Sequence, residues 1–173
     1  MRVLGRVMMT AALLSAVVVS VGCGGPRLGE YDVVVTLDEG LRNARSVPSI
    51  PVDIVALSDV EAERLREKSM SQYFSAGDRD RQSYASSGVV KQYLITNSNR
   101  DDVMLSEKDP IWRKEWSGRD RLFILADIPG ARRDADRRLE LPRETDRWED
   151  DEIVIKLRED RLEPQTLPQD PAK

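Results

Sequence analysis

The chain contains no histidine, a single cysteine and only 5% aromatic residues. Without an imidazole it loses the commonest general base, the Ser-His-Asp arrangement and the commonest metal ligand together. One cysteine cannot close an intramolecular disulfide. There is no Gly-rich phosphate loop, no G-x-S-x-G elbow and no D-x-D-x-D-G calcium spacing. A basic excess is missing too. Lys and Arg number 27 against 31 Asp and Glu, a formal charge of −4 with both signs interspersed. That excludes the one-sided basic face that nucleic-acid binding calls for. Carboxylate chemistry and a Ser-Lys pair survive these exclusions, and no motif specifies either. The composition therefore reads as a non-enzyme with no cofactor and a small, aliphatic core.

What is present begins at the N-terminus. Arg2 and Arg6 give the first residues a positive charge, and no acid precedes Glu30. From Val7 to Val21 only Thr10, Ser15 and Ser20 are not apolar. As a helix this run spans about 22 Å, short of the roughly 30 Å hydrocarbon core of a bilayer. A basic start, a short apolar run and then small residues form the secretory signal pattern. The run closes on Ser20-Val21-Gly22-Cys23, which resembles a bacterial lipobox. Residues 1–22 are then a signal peptide, cut between Gly22 and Cys23. A diacylglycerol and an N-acyl chain on Cys23 anchor residues 23–30 as a tether, since two or more chains hold stably where one does not. Gly24, rather than Asp, follows the cysteine, which favours the periplasmic face of the outer membrane. Removing Arg2 and Arg6 takes the formal charge to −6. A lipidated Cys23 also rules out a thiolate nucleophile and Cys-ligated zinc.

The rest is one domain's worth of chain, residues 31–160. Residues 31–37 (YDVVVTL), 52–57 (VDIVAL), 89–96 (VVKQYLIT), 121–128 (RLFILADI), 138–142 and 152–158 (EIVIKLR) read as strands from their β-branched content and alternation. Val103-Met104-Leu105 adds a short one. Residues 38–51 carry Gly40, Asn43, Pro48 and Pro51 and read as a loop. A change of period after Leu57 predicts one helix over about 59–74. Ser58 would cap it, and Glu61 stands three residues on, as in a capping box. The polar stretch 75–88 predicts a loop, and residues 161–173, with three prolines, a disordered tail. Strands that do not alternate with helices argue against a parallel α/β fold. A mainly β, small antiparallel sandwich with one helical insertion is the natural solution.

Trp112 and Trp116 lie four apart, sharing a face if Asp109–Trp116 is helical. They offer an aromatic patch for a protein or glycan, or else plug an open end of the sandwich, which is favoured. The pairs Asp38-Glu39, Asp101-Asp102 and Asp150-Asp151 fall in loops and read as solvated charge. The run Arg132 to Arg138, partly neutralised by Asp134 and Asp136, reads as a charged hairpin loop, with anionic headgroups near the anchor as its functional alternative. A Ser-Lys pairing of the serines in Tyr84-Ala-Ser-Ser-Gly88 with Lys91 is imaginable but remote, since no motif supports it.

The ordering of elements resembles the TssJ family of type VI secretion outer-membrane lipoproteins. PVDIVALSD with the helix after it resembles the family's early strand and helical insertion. RLFILADIPG and DEIVIKLREDRLEP resemble its late apolar strand and terminal amphipathic strand. The likeness covers most of the mature chain and is architectural. The Asp127-Ile-Pro-Gly130 turn and the acidic tail depart from the family's pattern. The resemblance implies a transthyretin-like sandwich and a partner in the envelope, the periplasmic domain of a TssM-like inner-membrane protein. No partner-contact residue can be carried over. Two readings follow: a non-catalytic, lipid-anchored interaction module, or a lipid-anchored carbohydrate-binding or carboxylate-based hydrolytic protein. The second requires Trp112 or Trp116 exposed beside converging carboxylates, about 5–10 Å apart.

Overall fold

The structure, a computed structural model, describes residues 29–141 and 152–167. Gly22, Cys23 and the signal segment lie outside the described residues, as do the Asp150-Asp151 pair and the end of the chain from 168. Eight strands are present among the described residues: β1 (Asp32–Leu37), β2 (Ile50–Leu57), β3 (Val90–Ile95), β4 (Val103–Leu105), β5 (Arg121–Ala126), β6 (Arg138–Leu141), β7 (Glu152–Leu157) and β8 (Leu162–Pro164). They form two four-stranded sheets, ordered β4-β1-β7-β8 and β3-β2-β5-β6. The chain is thus a mainly β sandwich, as its strand pattern implies.

Side-chain alternation sets the layers. In β1, Val33, Val35 and Leu37 are buried; β7 answers with Ile153, Ile155 and Leu157. Ile50, Val52, Ile54 and Ala56 of β2 complete the core from the second sheet. Yet Val55, Leu57, Phe123 and Leu125, on the other face of that sheet, are buried as well. A strand covered on both faces reads as an unbroken apolar run rather than an alternation, which is how β2 and β5 read. The cover is the helical insertion between β2 and β3.

That insertion differs from the single helix expected over 59–74. It is three helices: α2 (Asp59–Glu67), α3 (Met70–Tyr73) and α4 (Arg79–Ser86), α1 (Glu39–Asn43) lying earlier. The expected helix breaks where Lys68 takes an extended backbone and the Ser69 side chain accepts the Gln72 amide as a new cap. Residues 79–86 are helical instead of loop because Asp78 accepts the Arg81 amide and Tyr84 turns inward. Likewise Asp38 caps α1 within the stretch expected to be a loop. Within the stretch expected to be a disordered tail, residues 162–164 form β8, which pairs with β7 and places a buried Leu162 opposite Leu157.

Among the described residues every strand pair is antiparallel except β1 with β7, which run parallel from Asp32↔Glu152 to Leu37↔Leu157. Glu30, Asp32 and Glu152 lie where β1 and β7 begin and mark one end of the sandwich, the entry end. The far end carries α1, the 96–102 turn, the β5–β6 connection and the β7–β8 turn. Six residues of strand separate the two by about 20 Å.

Candidate partner interface

The tryptophans close the entry end. Trp116 is 1% exposed and Trp112 5%. Residues 110–112 form a single 3-10 turn, so the pair does not share an α-helical face. Their rings meet edge to face at 4.9 Å, and Tyr31 packs against Trp112 at 5.2 Å with the rings tilted by 58°. Both indole N–H groups are satisfied, Trp112 Nε1 by the Ser106 carbonyl at 2.9 Å and Trp116 Nε1 by Val89 at 3.0 Å. A buried aromatic with its donor bonded is core. Neither ring is available to a partner or a glycan, which corrects the aromatic-patch reading.

The acids do not gather around them. Asp38 caps α1 through the Leu41 amide, and Asp102 pairs with Arg42 at 2.6 Å. Among the described residues no three acidic side chains lie close enough to hold a metal ion. Lys91 pairs with Asp109 at 3.0 Å, not with a serine. Together these placements remove the geometry that the carbohydrate-binding or hydrolytic reading requires.

The most constrained polar group holds the insertion on its sheet. Asp53, in mid-β2 with no exposed surface, accepts from Arg81 Nε at 2.8 Å, Arg81 Nη2 at 3.1 Å and Tyr73 Oη at 3.0 Å. The Arg81 guanidinium also lies 5.0 Å above the Phe74 ring. Burial, with the Asp53 charge beside it, pushes the Tyr73 hydroxyl far above its usual range. Arg81 is pushed up by its hydrogen bond to Asp53. Beside this group Lys68 bonds Asp78 at 2.6 Å and contacts Asp80. This ion pair ties the insertion to the sheet beneath it.

The far end is different. The Asp127-Ile-Pro-Gly130 turn leads into a cleft of about 490 Å³, lined by Gly130, Arg132, Arg133, Asp136, Asp160 and Arg161. Its walls are the β5–β6 connection and the β7–β8 turn. They meet at Gly130, where a Cβ atom would sit 2.3 Å from the Glu159 carbonyl oxygen. Only glycine permits that approach. Arg133 forks onto Asp136, with N···O distances of 2.6 and 3.1 Å, holding that carboxyl below the usual carboxylate range. Arg137 donates to the Ala131 carbonyl at 3.4 Å and lies 3.6 Å from Asp127. Arg132, Arg133 and Arg137 thus lie at the end opposite Glu30, while Arg138, the last of the run, donates to the Leu65 and Arg66 carbonyls at the end of α2. Sequence reasoning found the run but could not have placed Asp160 and Arg161 against it.

No family model matches the chain, and no curated protein matches it. Among solved structures, a chain of "T6SS protein TssM C-terminal domain" from EAEC superposes with a TM-score of 0.52 at 13% identity, covering 78% of this chain and 98% of that one. A chain of the type VI membrane complex superposes at 0.50 and 17% identity, covering 82% and 100%. The T6SS lipoprotein TssJ1 from Pseudomonas aeruginosa gives 0.45 at 13% identity, covering 80% and 96%. The first two share this chain's sandwich over nearly their whole length.

Proposed function

We propose that this chain is a lipid-anchored, non-catalytic interaction module of a type VI secretion membrane assembly, held at the periplasmic face of the outer membrane through Cys23. The observation that carries the reading is a conjunction. A signal run ending in Ser20-Val21-Gly22-Cys23 leads directly into a sandwich that a type VI membrane complex also uses. The interior supports it: the tryptophans and Asp53 are spent on packing, which leaves the surface to do the work. Its partner is then a TssM-like inner-membrane protein that reaches across the periplasm.

Two measurements test this. Replacing Cys23 by Ser should abolish palmitate labelling and leave the signal uncut. A variant still cut and membrane-bound like the parent would overturn the anchor. Crosslinked envelopes should yield a TssM-like protein with the tagged chain, and recovery of an unrelated stable partner in its place would overturn the secretion assignment.

A further inference from the structure

The cleft at the far end has a feature that no packing role explains. Arg132 is exposed and has no ion-pair partner among the described residues, while its neighbour Arg133 is forked onto Asp136. Arg161 faces the same space, 3.3 Å from the adjacent Asp160 and half exposed. Its described lining holds three guanidinium groups against two carboxylates, an excess of one positive charge in a chain whose formal charge is −4. The walls are fixed rather than adaptable: Gly130 is pressed on the Glu159 carbonyl, and the Ala131 amide donates to Ile128 at 3.1 Å. A preformed site loses less on binding than one that must be ordered. Guanidinium forks match carboxylates in a bidentate geometry that ammonium groups do not offer.

We propose that this cleft is a docking site for an acidic segment of a protein partner, whose Asp or Glu side chain is taken by Arg132 with support from Arg161. The proposal deepens the assembly reading and rests on it, since the far end is the one presented away from a lipid anchored before Glu30. Anionic headgroups carry a related charge, but those beside the anchor meet the entry end first.

The test uses the full chain, purified from membranes in detergent, and fluorescein-labelled hexaglutamate as probe at low salt. Saturable binding is expected, because overall charge repels the probe and only a local site can hold it. Arg132→Glu should weaken that binding by about tenfold. Arg132→Lys, which keeps the charge but loses the fork, should fall between the parent and Arg132→Glu, and Lys108→Glu at the entry end should leave binding unchanged. Absence of saturable binding, or an equal loss with Lys108→Glu, would overturn the proposal. Phosphatidylglycerol vesicles captured through Arg132 while hexaglutamate is not would overturn it in favour of a lipid headgroup. Co-purification of the TssM-like protein with the same variants separates the two ideas. If that protein stays bound to Arg132→Glu, the cleft is not its contact although the assembly reading stands. If the parent binds hexaglutamate but never recovers that protein, the cleft stands and the assembly reading falls.

Discussion

Asp53 shows how one residue can hold a layer in place. It is charged, wholly enclosed and satisfied by three donors from two different helices. Breaking such a pair leaves an uncompensated charge, whereas replacing both partners by apolar groups need not destabilise. Asp53→Asn should therefore cost about 3 kcal/mol in urea unfolding, and a cycle with Arg81→Leu should reveal strong coupling. A cost no larger than that of a surface change would mean the network is incidental. Gly130 makes a steric counterpart. Gly130→Ala forces a methyl to 2.3 Å from the Glu159 carbonyl oxygen, so one wall of the cleft must move. A loss of about 1–3 kcal/mol is expected, read as a lower melting temperature. An unchanged melt would show that the two walls do not touch as described.

Elements differ in how far their own residues announce them. The Ser58 cap was legible because the signal is local: its hydroxyl accepts the Glu61 amide, and Glu61 accepts from the Ser58 amide at 2.9 Å. Ser58→Ala should cost about 1 kcal/mol, seen as a shift in denaturation midpoint without a change in slope. The strands were legible through Val and Ile at alternate places. Helix α4 was not, since RDRQSYAS buries only Tyr84 and offers no apolar stripe. Its single sequence signal, Asp78 as a cap, reads equally well as a turn. Strand β8 hid behind Pro164, at the end of an edge strand, where proline is tolerated. Nothing local could have paired β1 with β7, or Arg81 with Asp53. The candidate cleft was half visible, because an arginine run shows in the sequence while the turn across from it does not. Trp112 and Trp116 show the reverse: conspicuous in the sequence, and core in the fold.

For the molecule as a whole, the absence of histidine removes the side chain that ordinarily titrates near neutrality. Stability should accordingly be flat from about pH 6 to 8. Below that range two depressed carboxylates that are partly withdrawn from water matter most. Burial pushes Glu61 up, but bonds from Ser58 and the charge of Arg119 outweigh it and hold its pKa low. Asp109 is likewise raised by burial and lowered further by the Ile111 amide and Lys91. A carboxyl depressed in the fold contributes stability above its unfolded value. That contribution should fade as the pH falls below about 4.5. At the alkaline side the tyrosines act oppositely. Burial raises Tyr84 to about 12 and Tyr31 and Tyr73 further. Their stabilisation is complete below about pH 10 and is lost as the pH climbs beyond it. Chemical denaturation across the pH range checks this, and a steep change between pH 6 and 8 would contradict it.

The β1–β7 pairing has a consequence for how the protein comes into being. The second sheet is drawn from residues 50–141, a continuous stretch that can close on itself. The first sheet cannot, because β1 needs β7, and until then its only neighbour is the three-residue β4. Contacts between distant parts of a chain slow folding. A chain threaded across a membrane N-terminus first would deliver β1 long before its partner strand arrives. Throughout that interval Val33, Val35 and Leu37 stand as an apolar strand with an unpaired edge. On the anchored reading proposed above, export would leave β1 in this state until β7 emerges to pair with it.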